Sequence, residues 1–254
     1  MVDMIVFTDL DGSLLNHDDY SFEDAREAIS RLHREGIPVI MTTSKTRSEV
    51  KELRKELGIG DPFIVENGGA IHFPDMRRYA AAAGRPADDG KITISLGKSY
   101  AYIRNFVKRI AERFGVRGFG DMTEEEIAAF SNLSVESARR AKEREYTEPF
   151  LFDQRKSIDQ LKELAKIEGI KIVQGGRFFH FMSVHQDKGK AVLLTEEVFR
   201  RTTGRTYFTI GVGDSPNDYP MLSSVDIPIL IPHADETSVP PLTLPNLVRA
   251  THPG

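Results

Sequence analysis

The sequence has no cysteine, so neither disulfides nor thiol chemistry is open to it. No apolar run comes near the roughly 20 residues that a membrane-crossing helix needs, and no basic-then-apolar leader opens the chain. No charge of one sign dominates: 34 Lys and Arg stand against 38 Asp and Glu, with no basic block and no basic–aromatic interleaving. Nucleic acid and membrane are therefore not expected partners, and a cytoplasmic location is the default expectation. Internal repeats and low-complexity tracts are also missing. His17, His33, His72, His185, His233 and His252 show no metal-ligand spacing and read as surface residues. Gly211-Val212-Gly213 is not a dinucleotide fingerprint, because Pro216 holds the third glycine position. The charged run from Arg139 to Glu145 reads as a solvated helix face.

What is present begins with Val6-Phe7-Thr8-Asp9-Leu10-Asp11-Gly12-Ser13. Met4 to Thr8 reads as a buried strand, apolar and cut off by acids and a glycine. Asp9 and Asp11 follow it two positions apart, so both can aim into one crevice. Two carboxylates held together at neutral pH call for a cation between them. The competing reading is an ordinary polar turn. A calcium loop of the EF-hand kind is not expected, since it wants glycine sixth and Glu twelfth, where this chain has glycine fourth and Tyr20 twelfth.

At 254 residues the chain can bury a substantial core, as one large domain or two smaller ones. A helix from Ser21 to Gly36, a strand at Pro38–Thr42, a helix opened by Thr43-Ser44-Lys45-Thr46 and a strand at Pro62–Glu66 give a βαβαβ order. That order implies a parallel sheet with helices on its faces. Asn67-Gly68-Gly69 turns into a hairpin strand, Ala70 to Phe73. Ala80 to Gly90 reads as a linker, and beyond it strands and helices group as a small α+β insert that ends in a hairpin around Gly175-Gly176. From Lys188 the first pattern resumes, and the tail after Pro232 reads as irregular. The expected organisation is a core of residues 1–83 and 186–254 with an inserted cap of residues 84–185.

Four anchors then fall at strand C-terminal ends or helix starts: Asp9/Asp11, Thr43/Ser44, Lys188 and Asp214/Asp218. Ligands bind at that edge of an open α/β sheet. The chemistry open to the set is phosphoryl transfer. A carboxylate can attack phosphorus, and a second acid can move protons. A hard cation such as Mg²⁺, a hydroxyl at a helix start and a lysine can offset the anionic charge.

These residues carry a resemblance to the haloacid dehalogenase-like phosphatases. Asp9-x-Asp11-Gly12-Ser13 is similar to the first family motif, Thr43/Ser44 to the second, Lys188 to the third and Gly213-Asp214-x-x-x-Asp218 to the fourth. The resemblance implies a Rossmann-like α/β core with a parallel sheet and an inserted α+β cap of the C2 type. It implies Asp9 as nucleophile, Asp11 as general acid/base, and phosphate binding by Lys188 with Thr43 or Ser44. It implies Mg²⁺ held by Asp9, the backbone carbonyl of Asp11 and Asp214, with Asp218 behind them or as a further ligand. Phe63 to Ile71 and Gly175 to His180 resemble, more narrowly, the mannosyl-3-phosphoglycerate phosphatase subfamily. The implied substrate is a small phosphorylated sugar-glycerate. Glu66, Asn67 and Gly68 are then expected at sugar hydroxyls, Arg177 at the carboxylate and His180 at a hydroxyl or phosphate oxygen. Other sugar phosphatases, a phosphomutase or phosphotransferase with the same intermediate, and a non-catalytic sugar-phosphate binder are the competing readings. The sequence does not indicate an oligomeric state.

Overall fold

The computed structural model describes residues 3–16, 20–83, 91–153, 157–175, 178–232 and 242–252. β1 (Asp3–Thr8), α1 (Glu23–Arg34), β2 (Val39–Thr42), α2 (Arg47–Leu57) and β3 (Phe63–Val65) alternate as the sequence implies. Residues 5–8 and all of β2 and β3 are buried, as befits a sheet covered on both faces. β4 (Ala70–Phe73), α3 (Met76–Ala83) and β5 (Ile92–Ser95) follow. After the cap come α8 (Lys188–Thr203), β10 (Tyr207–Gly213), α9 (Tyr219–Leu222), β11 (Ile227–Leu230) and β12 (Val248–Arg249). The core sheet runs β12-β11-β10-β1-β2-β3-β4-β5. It is parallel from β12 to β3 and antiparallel through β4 and β5.

Strand alternation sorts the core onto two faces. Ile5, Phe7, Ile40 and Ile64 pack with Tyr79, Val192 and Phe199 on one face. Val39, Met41, Phe63 and Val65 pack with Ile29 and Val50 on the other. Each such side chain stabilises the fold by about 1.5–3 kcal/mol when fully buried. The chain leaves β1 towards β2 on one side and returns as β10 on the other. A crevice therefore opens beyond the strand ends at β1, where ligands bind in sheets of this kind.

The cap lies between these halves. It comprises α4 (Tyr100–Phe114), β6 (Arg117–Gly118), α5 (Glu124–Ser131), α6 (Val135–Lys142), β7 (Glu148–Leu151), α7 (Ile158–Ile167), β8 (Ile170–Gly175) and β9 (Phe178–Ser183). Its antiparallel sheet, β6-β7-β9-β8, buries Phe150 and Phe181 against α4 and α7. Phe150 and Phe181 stack with centroids 4.0 Å apart. On the other face Phe178 meets Phe119 edge-on at 4.9 Å, beneath α5 and α6.

Four expectations about the fold need correction. The stretch read as a linker is helical as far as Ala83, because Tyr79 is buried between Phe73 and Phe199 and four alanines favour a helix; residues 84–90 lie outside the described set. β5 pairs with β4 at the edge of the core sheet, so the core continues to Ser95 and the cap begins later than residue 84. The tail is not wholly irregular, since β12 adds a parallel strand beside β11. His72 is also no surface residue: it is buried, its Nδ1 lies 2.9 Å from Thr93 Oγ1, and its ring packs on Phe63.

Candidate active site

β1 and β10 end side by side, and each delivers a carboxylate. Asp9 remains tied to the sheet, its N–H donating to Val212 O at 2.9 Å. Gly213 lets the end of β10 come close to the following turn, where an added Cβ would meet Asp218 Cβ at 2.6 Å. Asp9, Asp214 and Asp218 are buried and bring oxygens within 4.8 Å of one another. Lys188 enters from the first turn of α8, fully buried. Its Nζ donates to Asp9 Oδ1 at 2.8 Å and to Asp218 Oδ1 at 2.6 Å. A lysine at a helix N-terminus works against the dipole, and these two carboxylates offset that cost.

Burial, and then repulsion from Asp218, pushes the Asp9 carboxyl up to about 7, despite Lys188. Burial and the charge of Asp9 push Asp214 up to about 8. Burial opposes the charge of Lys188, but Asp218 and Asp9 outweigh it and raise its ammonium above the ordinary range. One lysine set against three carboxylates leaves a deficit that a divalent cation would balance. All the donors are hard oxygens, so the cluster fits such a cation. Asp218 differs from the other two. Its Oδ2 accepts the N–H groups of Asp214 and Ser215 and the Ser215 hydroxyl, all at 3.1 Å, while its Oδ1 accepts from Lys188, so both of its oxygens are engaged within the protein.

A cavity of about 300 Å³ opens from this cluster between core and cap. Asp9, Asp11, Ser44, Lys45 and Asp214 line it from the core, and Phe119, Arg144, Phe178 and His180 from the cap. Asp11 pairs with Lys45, Oδ1 to Nζ 2.8 Å. Burial disfavours the charge of Lys45, yet Asp11 and Glu49 hold it above the ordinary lysine range. Thr43 sits behind the wall, its Oγ1 accepting the Lys45 N–H at 3.1 Å, while Ser44 is at the wall.

The other expected substrate residues divide. His180 lines the cavity with Phe178, as alternation along β9 implies. Arg177 lies outside the described residues. Glu66 is not at the cavity. It is wholly buried, and its carboxylate accepts the N–H groups of Glu145, Tyr146 and Thr147 (2.8, 3.1 and 2.8 Å) and the Thr147 hydroxyl at 2.7 Å. Glu66 thus clamps a cap loop to the core. Gly68 does not line the cavity either: at φ +82° it passes so close to α8 that a Cβ would lie 2.2 Å from Asp187 O. Asn67, also left-handed at φ 57°, stands one step back, its Oδ1 accepting from Asn217 Nδ2 at 3.2 Å.

Lys45, Asn217 and Arg144 line the cavity without having been singled out for it. Lys45 adjoins Ser44 in sequence, which is a usable signal. Arg144 was hidden in a charged run, yet its Nη1 donates to Ser44 O across the core–cap interface.

Buried carboxylates, one lysine and a capped cavity thus meet at the switch point of a parallel sheet. The chain belongs to the haloacid dehalogenase-like hydrolases, whose family model matches residues 6–239. It is 47% identical over 252 residues to the glucosyl-3-phosphoglycerate/mannosyl-3-phosphoglycerate phosphatase of Persephonella marina, covering 99% of this chain and 93% of that one. It is 33% identical over 229 residues to the mannosyl-3-phosphoglycerate phosphatase of Pyrococcus furiosus, covering 89% and 90%. Among solved structures, a phosphatase of the same superfamily from Bacteroides thetaiotaomicron superposes with a TM-score of 0.67 at 17% identity, over 97% of this chain and 89% of that one.

Proposed function

We propose that the chain is a Mg²⁺-dependent phosphatase that hydrolyses glucosyl-3-phosphoglycerate and mannosyl-3-phosphoglycerate to the glycosylglycerate and phosphate. The observation that carries the reaction class is Asp9, a buried carboxylate fixed by Lys188 at the floor of the cavity, with Asp11 at the same wall. The substrate class rests on relatives named for these phosphatases, the more similar of the two for both sugars.

Asp9 attacks the phosphorus in line with the ester oxygen. A new O–P bond forms, the old P–O bond breaks, and Asp11 donates its proton to the departing alkoxide. Asp11 then takes a proton from water, which attacks the aspartyl phosphate and releases inorganic phosphate. Lys45, paired with Asp11, keeps that carboxyl beside the reacting oxygen. Lys188 orients Asp9 and offsets its charge, and Ser44, at the wall in front of Thr43, supplies a hydroxyl to the phosphate oxygens. Asp9, Asp214 and the Asp11 carbonyl would hold Mg²⁺, which screens the repulsion between carboxylate and phosphate. Asp218 holds Lys188 and the Asp214 loop in place.

Phosphate release, with and without chelator, on both glycosyl-phosphoglycerates, sucrose phosphate, trehalose phosphate and simple hexose phosphates tests this. Turnover is expected to need Mg²⁺, to vanish in Asp9→Asn and to favour the glycosyl-phosphoglycerates. Higher kcat/KM on hexose phosphates would reject the substrate, and full turnover by Asp9→Asn the mechanism.

A further inference from the structure

The cap wall of the cavity carries a cation that the reaction as written does not use. Arg144 follows α6 and is half-buried. Its Nε donates to Ala141 O at 2.8 Å, and its Nη1 to Ser44 O at 2.8 Å and Thr147 Oγ1 at 3.4 Å. None of these acceptors is charged. Among the described residues no carboxylate lies within ion-pair distance of Arg144, and its Nη2 has no hydrogen-bond partner. Glu66, which feels its charge, is already occupied by three backbone N–H groups and a hydroxyl.

The same wall holds His180, 8% exposed. Its Nδ1 is buried and has no hydrogen-bond partner among the described residues. Burial and the charge of Arg144 push the imidazole down to about 3, so the ring is neutral at physiological pH. A buried nitrogen without a hydrogen-bond partner and a cation without a counter-charge are costly unless a ligand completes them. The aromatic rings of Phe119 and Phe178 border the same cavity. The phosphate is already provided for at the other end, by Lys188 and the Ser44 hydroxyl.

We propose that Arg144 and His180 form the subsite for the carboxylate of the substrate, the guanidinium pairing with it through Nη2 and His180 donating through Nδ1. This rests on the proposed substrate class and assigns the carboxylate to the cap wall. It gives the inserted domain a chemical task. Because Arg144 also holds Ser44 O, a bound carboxylate would draw on the residue that joins cap to core beside the phosphate site.

The test compares glucosyl-3-phosphoglycerate with its reduced analogue, in which a primary alcohol replaces the carboxylate. The unaltered enzyme is expected to prefer the carboxylate. Arg144→Ala is expected to lower kcat/KM for the carboxylated substrate by about 10- to 100-fold, chiefly through KM, the loss of a charge-assisted pair. On the reduced analogue, where the contact with Ser44 O is lost but no carboxylate pair is, the fall should be several-fold smaller. Arg144→Lys, which keeps the charge without the fork, should fall between, and His180→Ala should show a smaller loss of the same selectivity. An unaltered enzyme indifferent to the carboxylate overturns both the substrate class and the subsite. A preference that survives in Arg144→Ala, or equal losses on both compounds, overturns the subsite alone. If Arg144→Ala does not fold, Arg144→Lys decides, since a selectivity equal to that of the unaltered enzyme overturns the subsite.

Discussion

Glu66 separates two accounts of the same residue. At the end of β3 it suits a sugar hydroxyl by position, but in the fold it has no exposed surface and four donors converge on it. Burial pushes its carboxyl above the ordinary range, and the donors and Arg144 pull it back. In Glu66→Gln the amide oxygen can replace Oε2, which serves Tyr146, Thr147 and the Thr147 hydroxyl. The amide nitrogen then faces the Glu145 N–H, leaving two donors opposed and the charge assistance lost. One orphaned buried group costs about 1–3 kcal/mol and charged hydrogen bonds are worth about 1.5–3, so a net loss of about 2–3 kcal/mol is expected. For a chain of this length that lowers Tm by about 5–10 °C. Glu66→Ala orphans three N–H groups and should cost about 3–5 kcal/mol. Calorimetry or circular dichroism melts give the shift, and steady-state kinetics on the same samples show whether KM moves. A Glu66→Gln protein that melts within about 1 °C of the unaltered chain but has a raised KM would refute the clamp and restore the sugar contact.

Mg²⁺ at one hundred times its dissociation constant should stabilise the chain by about 2.7 kcal/mol, raising Tm by about 5–10 °C. Asp214→Asn should lose most of that increment; an equal rise in the variant would exclude Asp214 as a ligand. Tyr79→Ala should destabilise by about 3–5 kcal/mol in urea unfolding, as large aromatic truncations do. Tyr79 is 2% exposed between Phe73 and Phe199. A loss under about 1 kcal/mol would return its helix to linker status.

The core was legible because its signals are local. Met4 to Thr8 is an apolar run ended by acids, and β1 stands there. Thr46 with Glu49 forms a capping box at the start of α2, and Gly58 closes that helix in the left-handed region. The four anchors were legible for a related reason. Each lies at a strand end or helix start, and parallel strands bring such ends to one edge. The register of β1 with β10, Thr8 opposite Val212, then sets Asp9 near Asp214 although some two hundred residues separate them. What escaped was decided by packing. Tyr79 and the alanines after it form a helix because Phe199, far along the chain, covers that tyrosine. β5 belongs to the core because β4 offers it an edge, not because its own residues differ from those of a cap strand.

The cap contacts mark where local reading stops. Thr46 Oγ1 donates to Arg140 O and Arg144 Nη1 to Ser44 O, across 94 and 100 residues. No spacing rule encodes such pairs. A run of alternating charge reads as solvated unless another surface covers it, and here α2 and the Glu66 turn cover part of that run. The same docking that hid Arg144 turns it into the cavity. It follows that chemistry and selectivity are carried differently in this chain. The reacting groups sit on a rigid sheet edge and are held by other core residues, Asp9 by Lys188 and the Val212 carbonyl. The groups that meet the rest of the substrate depend on how the cap seats on the core. Weakening the seat at Glu66 should therefore erode discrimination between carboxylated and reduced substrates before it erodes phosphate release itself.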